Sequence, residues 1–411
     1  MINKLDKTYL LSLIKKLETP NKINKSYPLL QKGFTEEDIY QGIKILLSRK
    51  LTMGDVTKKF EKKFSKYIGS KFSLMVNSGS SANLLIAFLL INLKKKNRLK
   101  IGDKFLIPSL CWSTSLWPFV QAGLKPEFID VDKKNFCLDL NLLDSKKIKG
   151  IKLIVNINVL GNCPNLQKLS NFCKNKDIYF VEDNCESLGT KFKNKFTGTF
   201  SDFASFSFYY SHQLTTGEGG MITCKKYEDF KLLKVLRAHG WDRDIVKNST
   251  NKFNFINQGF NLRPMDITAA IGISQLSRLN KMKILRNKNR DLILDAIKKH
   301  KKWNNQFTFF ESEKEVSPSW FGLVLLISKE FLKKKKKFID FLASKKIETR
   351  PIISGNFLNQ PALKLYKFKS VNLINTDEID KLGFFIGLQL KQMSTSEIKF
   401  LANCLLEIDQ L

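Results

Sequence analysis

The stretch Ser205-Phe-Ser-Phe-Tyr-Tyr-Ser-His-Gln-Leu-Thr-Thr-Gly-Glu-Gly-Gly220 sets His212, one of only three histidines in the chain, among aromatic rings and hydroxyls. An imidazole takes and returns protons near neutral pH but forms no lasting covalent bond with an aldehyde. Taken alone, a histidine in such surroundings is more often packed or hydrogen-bonded than catalytic. Three other segments carry complementary chemistry. Asn77-Ser-Gly-Ser-Ser-Ala-Asn-Leu-Leu85 follows the apolar run Phe72 to Val76 and opens a run of helix formers, so its main-chain N–H groups gather at a helix N-terminus, which is an anion site. Ser80 and Ser81 can add hydroxyls and Gly79 can permit close approach, although Ser-Gly-Ser at such a junction also serves as an ordinary cap or turn. Asp183 closes the buried strand pattern that begins at Ile178, at the end where open α/β sheets face their ligands; a helix N-cap is the alternative. Trp112, in Ile107-Pro-Ser-Leu-Cys-Trp-Ser-Thr-Ser-Leu116, offers a π face or simply packs in the core.

The string around His212 resembles the Ser-Phe-x-x-x-Lys-x-Leu/Ile-Thr-Thr-Gly-Glu-Gly-Gly segment of the DegT/DnrJ/EryC1/StrS family, the sugar aminotransferases that use pyridoxal 5′-phosphate (PLP). Leu51-Thr-Met-Gly-Asp55, Arg237-Ala-His-Gly-Trp241, Gly259-Phe-Asn-Leu-Arg-Pro264 and Arg350-Pro-Ile-Ile-Ser-Gly-Asn-Phe357 match as well, so the resemblance runs from Ser26 onward. In the family a lysine anchors the cofactor where His212 stands, and a histidine there is the mark of its sugar 3-dehydratases. The resemblance implies that Gly79, Ser80, Ser81 and Ser207 hold the cofactor phosphate, that Asp183 faces the pyridine nitrogen, that Glu186 lies by the ring hydroxyl and that Trp112 stacks on the ring. Beside the alternatives already given for the others, Ser207 can be a solvent-facing strand serine and Glu186 a surface carboxylate. The resemblance further implies a homodimer with shared sites, in which Asn261 reaches the neighbouring subunit's cofactor phosphate and Arg263 holds a carboxylate of L-glutamate. A turn residue and a surface charge are the plain alternatives for these two. Arg237, His239 and Arg350, in matching segments, are expected to bind substrate.

The reaction implied is removal of the C3 hydroxyl from a nucleotide-linked 4-keto-6-deoxy sugar on the way to a 3,6-dideoxysugar. Glutamate would convert PLP, held without a covalent link, to pyridoxamine 5′-phosphate (PMP). His212 would move the protons, and a 3-deoxy-4-keto sugar would leave with loss of ammonia. Two departures stand out: Gln213 replaces a second histidine, and Thr216-Gly217 replaces a Thr-Met pair. The relatives acting on CDP sugars carry a [2Fe–2S] cluster on four cysteines with a close pair. The seven cysteines here (Cys111, Cys137, Cys163, Cys173, Cys185, Cys224, Cys404) have no such spacing and no Cys/His cluster, so neither an iron–sulfur cluster nor a metal site is expected, and a GDP-linked sugar is favoured. A CDP or dTDP sugar, or an aminotransferase-fold protein without dehydratase function, are the competing readings.

These groups need a scaffold, and the pattern supplies one. Between 57 and 225, helical stretches alternate with short β-rich runs at Phe105 to Ile107, Pro126 to Val131, Lys152 to Val159, Ile178 to Val181, Ala204 to Phe208 and Met221 to Cys224, which predicts a mostly parallel sheet covered by helices. By family that is the fold-type I PLP domain, aspartate aminotransferase-like. Thr35-x-x-Asp38 predicts a capped helix, Ile267 to Lys299 a long connecting helix, and Trp320 to Ile327 and Ile347 to Ile353 strands of a smaller α+β part. The expected division is a basic lead over 1–25, a large cofactor domain over 26–270, and a connecting helix with small domain over 271–411. Net charge +32 invites a nucleic-acid reading, but the lysines are scattered and no base-reading or stacking motif accompanies them, so no nucleic-acid partner is expected. No apolar run reaches the about 18 to 20 residues of a membrane span, and Met1 to Leu17 lacks the core and cleavage site of a signal peptide; a cytoplasmic enzyme with no membrane partner is the expectation.

Overall fold

The computed structural model describes residues 4–17, 27–143, 148–246, 253–366, 368 and 371–411. Three helices lead in: α1 (Lys4–Leu17), α2 (Glu36–Ser48) and α3 (Asp55–Ile68). The expected capping box starts α2, with the Asp38 N–H donating to Thr35 Oγ1 (3.5 Å) and the Thr35 N–H donating to Asp38 Oδ2 (2.8 Å). Strands and helices then alternate through β1 (Phe72–Val76), α4 (Gly79–Leu90), β2 (Lys104–Pro108), α5 (Ser113–Gln121), β3 (Lys125–Ile129), β4 (Ile151–Ile157), α6 (Leu166–Asn175) and β5 (Tyr179–Asp183). A hairpin of β6 (Lys191–Phe192) and β7 (Lys195–Phe196) precedes β8 (Phe203–Ser207), β9 (Gly220–Cys224) and α7 (Tyr227–Arg237).

Seven of these strands form one sheet in the order β1-β9-β8-β5-β4-β2-β3. Neighbours from β8 to β3 are parallel, and β9 runs antiparallel to both β8 and β1. Because helices cover both faces, β8 and β9 are buried at every position rather than at alternate ones, their polar Ser205, Ser207 and Thr223 included. The carboxyl ends of β5 and β8 lie side by side, with Asp183 paired to Ser205. That edge is where an open α/β sheet binds its ligand.

The long helix α8 (Asp266–Lys298) leads into β10 (Phe307–Phe309), β11 (Val316–Ser317), β12 (Gly322–Ile327), α9 (Lys335–Ser344), β13 (Thr349–Arg350), α10 (Ile374–Leu382), β14 (Gly383–Gly387) and α11 (Thr395–Leu405). Four of these strands make an antiparallel sheet ordered β10-β12-β14-β13, while β11 joins the β6/β7 hairpin. Both C-terminal strands are shorter than the sequence predicts. Ser319 and Phe321 give their N–H groups to the carbonyls of Gly161 and Leu160 (each 3.1 Å) instead of a ladder, so β12 starts at Gly322. Ile353 turns the chain at φ 52, and Ser354 Oγ donates to the Cys111 carbonyl (2.5 Å), which ties this segment to the large sheet's edge. Tyr27 also joins the two parts: its N–H donates to the Lys346 carbonyl (3.0 Å) and its hydroxyl to the Gly387 carbonyl (3.0 Å).

The lysine run at 333–337 is largely used within the fold. Lys334 Nζ donates to the Asp409 carbonyl (2.7 Å), Lys335 Nζ to Lys381 and Gly383 (2.8 and 3.0 Å), and Lys337 Nζ to Leu411 (2.8 Å). These are carbonyls at or near helix C-termini, where cations are favoured. Among the described residues no helix is long and apolar enough to cross a membrane.

Candidate active site

Local sequence explains how each group reaches the sheet edge. After β1 the chain turns at Ser78, whose Oγ accepts the Ser81 N–H (3.0 Å) and caps α4. The cap is therefore Ser78, which leaves Ser80 exposed, its hydroxyl bonded to Thr114 Oγ1 (2.8 Å). A side chain at Gly79 would meet Ser207 Cβ at 2.6 Å and Cys185 Sγ at 2.9 Å, so only glycine lets the α4 terminus sit against the end of β8. Ser207 is buried rather than facing solvent, with Oγ accepting the Tyr209 N–H (3.3 Å). We expect Gly79→Ala to cost about 1–3 kcal/mol by overpacking, read as a lowered thermal midpoint, and to weaken PLP binding measured by absorbance titration. A variant matching the wild type in both would show that the contact relaxes freely.

Asp183 is 3% exposed and its carboxylate is held from three directions. Oδ2 accepts Asn83 Nδ2 (2.9 Å) and Ser115 Oγ (2.8 Å), and Oδ1 accepts the Cys185 N–H (3.0 Å). One carboxylate thus fastens the N-terminal parts of both α4 and α5 to the strand end. Trp112 stands just before α5 and is 57% exposed, so it is no core residue; an indole face is left open near the edge. Burial, with a smaller contribution from Asp183, pushes the Glu186 carboxyl up to about 7, against the pull of the Leu160 N–H on its Oε2 (3.2 Å).

His212 lies in the turn after β8. Its Nδ1 faces the Ser207 carbonyl at 3.3 Å, and its ring packs T-shaped with Tyr209 (centroids 5.9 Å) and Phe321 (5.3 Å). A carbonyl only accepts, so the ring proton belongs on Nδ1 and the Nε2 lone pair is free to act as base. Burial is the main force lowering the imidazole to about 4; the Ser207 carbonyl opposes it, the Arg286 charge adds to it, and Asp183 opposes again. The ring is therefore neutral at pH 7. Gln213 locks the turn by donating Nε2 to the carbonyls of Glu186 and Ser319. Gly217 stands at φ 82, a left-handed backbone that a methionine would strain.

Gly79, Ser80, Ser81, Ser207, Asp183, Glu186, Trp112 and His212 thus belong to elements that meet at one edge. Arg237 does not join them: its guanidinium is buried, bonded to Glu61 Oε1 and the Met75 carbonyl (each 2.8 Å), so the substrate-binding expectation for it is corrected to a core ion pair. Arg350 is exposed and pairs with Glu348 (2.6 Å). His239 is exposed at φ 65 with its N–H on the Phe260 carbonyl (2.8 Å). Asn261 bridges to Ala238, and its Oδ1 accepts from Arg263 Nε (3.1 Å) at the surface. Sequence reading missed Asn83, Ser115 and Arg286. Asn83 lay within the quoted motif one turn past Gly79, whereas nothing local marks Arg286. Among the described residues no group of three or more His, Cys, Asp or Glu side chains could hold a metal ion.

The helix-covered, mostly parallel sheet with this edge is the fold of PLP-dependent aminotransferases. Residues 34–405 match the DegT/DnrJ/EryC1/StrS aminotransferase family, and the chain belongs to it. It is 37% identical to the GDP-4-keto-6-deoxy-D-mannose 3-dehydratase of Escherichia coli O55:H7 over 376 residues, 88% of this chain and 95% of that one. The structure of the E. coli enzyme with bound hydrated PLP is similar at a TM-score of 0.86 and 35% identity, covering 93% of this chain and 99% of that one. A structure of GDP-4-keto-6-deoxymannose-3-dehydratase with a trapped PLP-glutamate geminal diamine is similar at 0.85 and 35% identity, covering 92% and 100%.

Proposed function

We propose that this protein is a PLP/PMP-dependent dehydratase that removes the C3 hydroxyl of a nucleotide-linked 4-keto-6-deoxy sugar, GDP-4-keto-6-deoxy-D-mannose above others, with L-glutamate as amino donor. The observation that carries the reading is His212, a neutral and non-anchoring base at the family's lysine position. When bound, PLP supplies an electron sink and, as PMP, an amine for the sugar ketone. The residues fit that group. The α4 N-terminus, with Ser80, Ser81 and Ser207, offers N–H groups and hydroxyls to a phosphate, and Gly79 keeps the cradle open. Asp183, fixed by Asn83 and Ser115, offers an anion for a protonated pyridine nitrogen. Trp112 offers a face for the ring, and Glu186, poised near neutrality, can share a proton with the ring hydroxyl. His212 Nε2 takes a proton and returns it on one side of the cofactor, which suffices for both half-reactions.

The reading extends to a homodimer in which Asn261 and Arg263 serve the partner's site. Its support is the exposed Asn261 and half-buried Arg263, together with the exposed Phe253, Phe255 and Met265 close by in sequence. The division into a lead (1–25), a cofactor domain (26–270) and a C-terminal domain (271–411) is part of the same proposal. The deciding assay offers glutamate and GDP-, CDP- or dTDP-linked 4-keto-6-deoxy sugars to the holoenzyme. A 3-deoxy-4-keto product from the GDP sugar is expected; 4-amino sugar instead would refute dehydration. Extensive dialysis should remove the cofactor, and borohydride should leave no phosphopyridoxyl-lysine in a peptide map.

A further inference from the structure

Helix α8 presents a row of donors to the segments that frame the site. Lys283 Nζ donates to the carbonyls of Gly189 (3.0 Å) and Ser317 (3.1 Å), Asn287 Nδ2 donates to Pro318 (3.0 Å), and the Arg290 guanidinium lies over Trp320 (4.5 Å). Arg286, on the same face at helical spacing, is different. It is 2% exposed, and its Nη2 reaches only the carbonyls of Ser211 (3.5 Å) and His212 (3.4 Å). Its Nε and Nη1 are buried without a hydrogen-bond partner among the described residues. No described carboxylate lies within ion-pair distance of it. Burial lowers it only to about 10, so it stays charged at pH 7. A buried cation without a counter-ion costs several kcal/mol, and core packing alone would be served as well by a methionine or leucine.

We infer that Arg286 is a positioning residue for the proton-transfer histidine: from α8 it draws the Ser211 and His212 carbonyls onto its guanidinium and stations a fixed positive charge behind the imidazole. The two contacts hold the peptide that carries the ring. The charge disfavours the imidazolium and so adds to the burial that keeps Nε2 unprotonated. The other charged group facing His212 is Asp183, from β5, which acts in the opposite sense. Phe321 and Tyr209 pack T-shaped on the imidazole, and the neighbouring Glu186 meets the turn through its carbonyl on Gln213. This inference rests on the dehydratase reading only in calling His212 the base.

The test uses Arg286→Met, which removes charge and contacts at similar bulk, and Arg286→Lys, which keeps the charge on a side chain of different shape and loses the Nη2 placement between the two carbonyls. Holoenzyme labelled at histidine gives three imidazole signals, from His212, His239 and His300, so the His212 titration midpoint can be followed by NMR without turnover. We expect Arg286→Met to raise that midpoint by about one pH unit or more. We also expect it to lower kcat about tenfold or more with little change in KM for the sugar. Arg286→Lys should keep the midpoint near that of the wild type and regain part of kcat. If Arg286→Met does not fold, Arg286→Gln, which also lacks the charge, makes the same comparison. A midpoint unmoved in the folded charge-free variant overturns the inference, as does an unchanged kcat. The midpoint stands or falls separately from the dehydratase reading, which product analysis of the wild type decides.

Discussion

Changing His212 to lysine should abolish dehydration, with kcat falling by the roughly 10²–10⁴-fold that a positioned acid–base group contributes, and should leave at best slow transamination at C4. The same surroundings that keep the imidazole neutral would act on an amine. Burial and the Arg286 charge both disfavour an ammonium, so the new side chain would be held as a free amine, the nucleophilic form. A neutral lysine at this position can capture the PLP aldehyde covalently. The cofactor is then tied down and competes with the amine form that the sugar ketone needs. Three readouts follow: a borohydride-stable cofactor adduct at the substituted position, loss of the 3-deoxy product, and a trace of 4-amino sugar. Full dehydratase activity in the variant would mean that the base lies elsewhere on the sheet edge.

How much of this site was legible in the chain depends on how local each signal is. Asp183 and Gly79 sit where a strand ends or a helix begins, and such junctions are written in a few neighbouring residues, so their placement at the sheet edge followed from the pattern, whereas Ser207 was marked by the family resemblance alone. The groups that hold them are another matter. Asn83 and Ser115 meet on Asp183 only because α4 and α5 begin beside the same strand end, and no spacing in the sequence announces that meeting. Arg286 reaches the His212 carbonyl from 74 residues further along the chain. Arg237 shows the converse error. A basic residue in a family-like segment invites a substrate role, yet Glu61, 176 residues away, takes its guanidinium into the core. The carbonyl acceptors of the lysine run at 333–337 belong to α10 and the segment 409–411, which only the fold brings near. Strand centres were legible through their apolar runs, whereas the ends of β12 and β13 were set by tertiary partners at Gly161 and Cys111.

Two inactive chains should restore each other. If each site takes its cofactor body from one subunit and Asn261 and Arg263 from the partner, a His212→Ala chain and an Asn261→Ala/Arg263→Ala chain are both dead as homodimers. In the mixed dimer one site has lost everything and the other has lost nothing. The isologous two-fold arrangement requires this, because both mutated patches fall in the same site. Verified heterodimers should therefore show about half of wild-type activity per dimer, against none for either parent. The surface chemistry agrees with such a seam. The side chains of Asn261 and Arg263 are bonded to one another at the surface, and Phe253 and Phe255 stand exposed against Trp241, with ring centroids 5.2 and 6.2 Å away. An apolar surface of that kind, beside a surface polar pair, is what a partner would cover. Heterodimers that stay inactive, or a fully active monomer by light scattering, would instead confine the site to one chain and leave Asn261 and Arg263 as a surface turn.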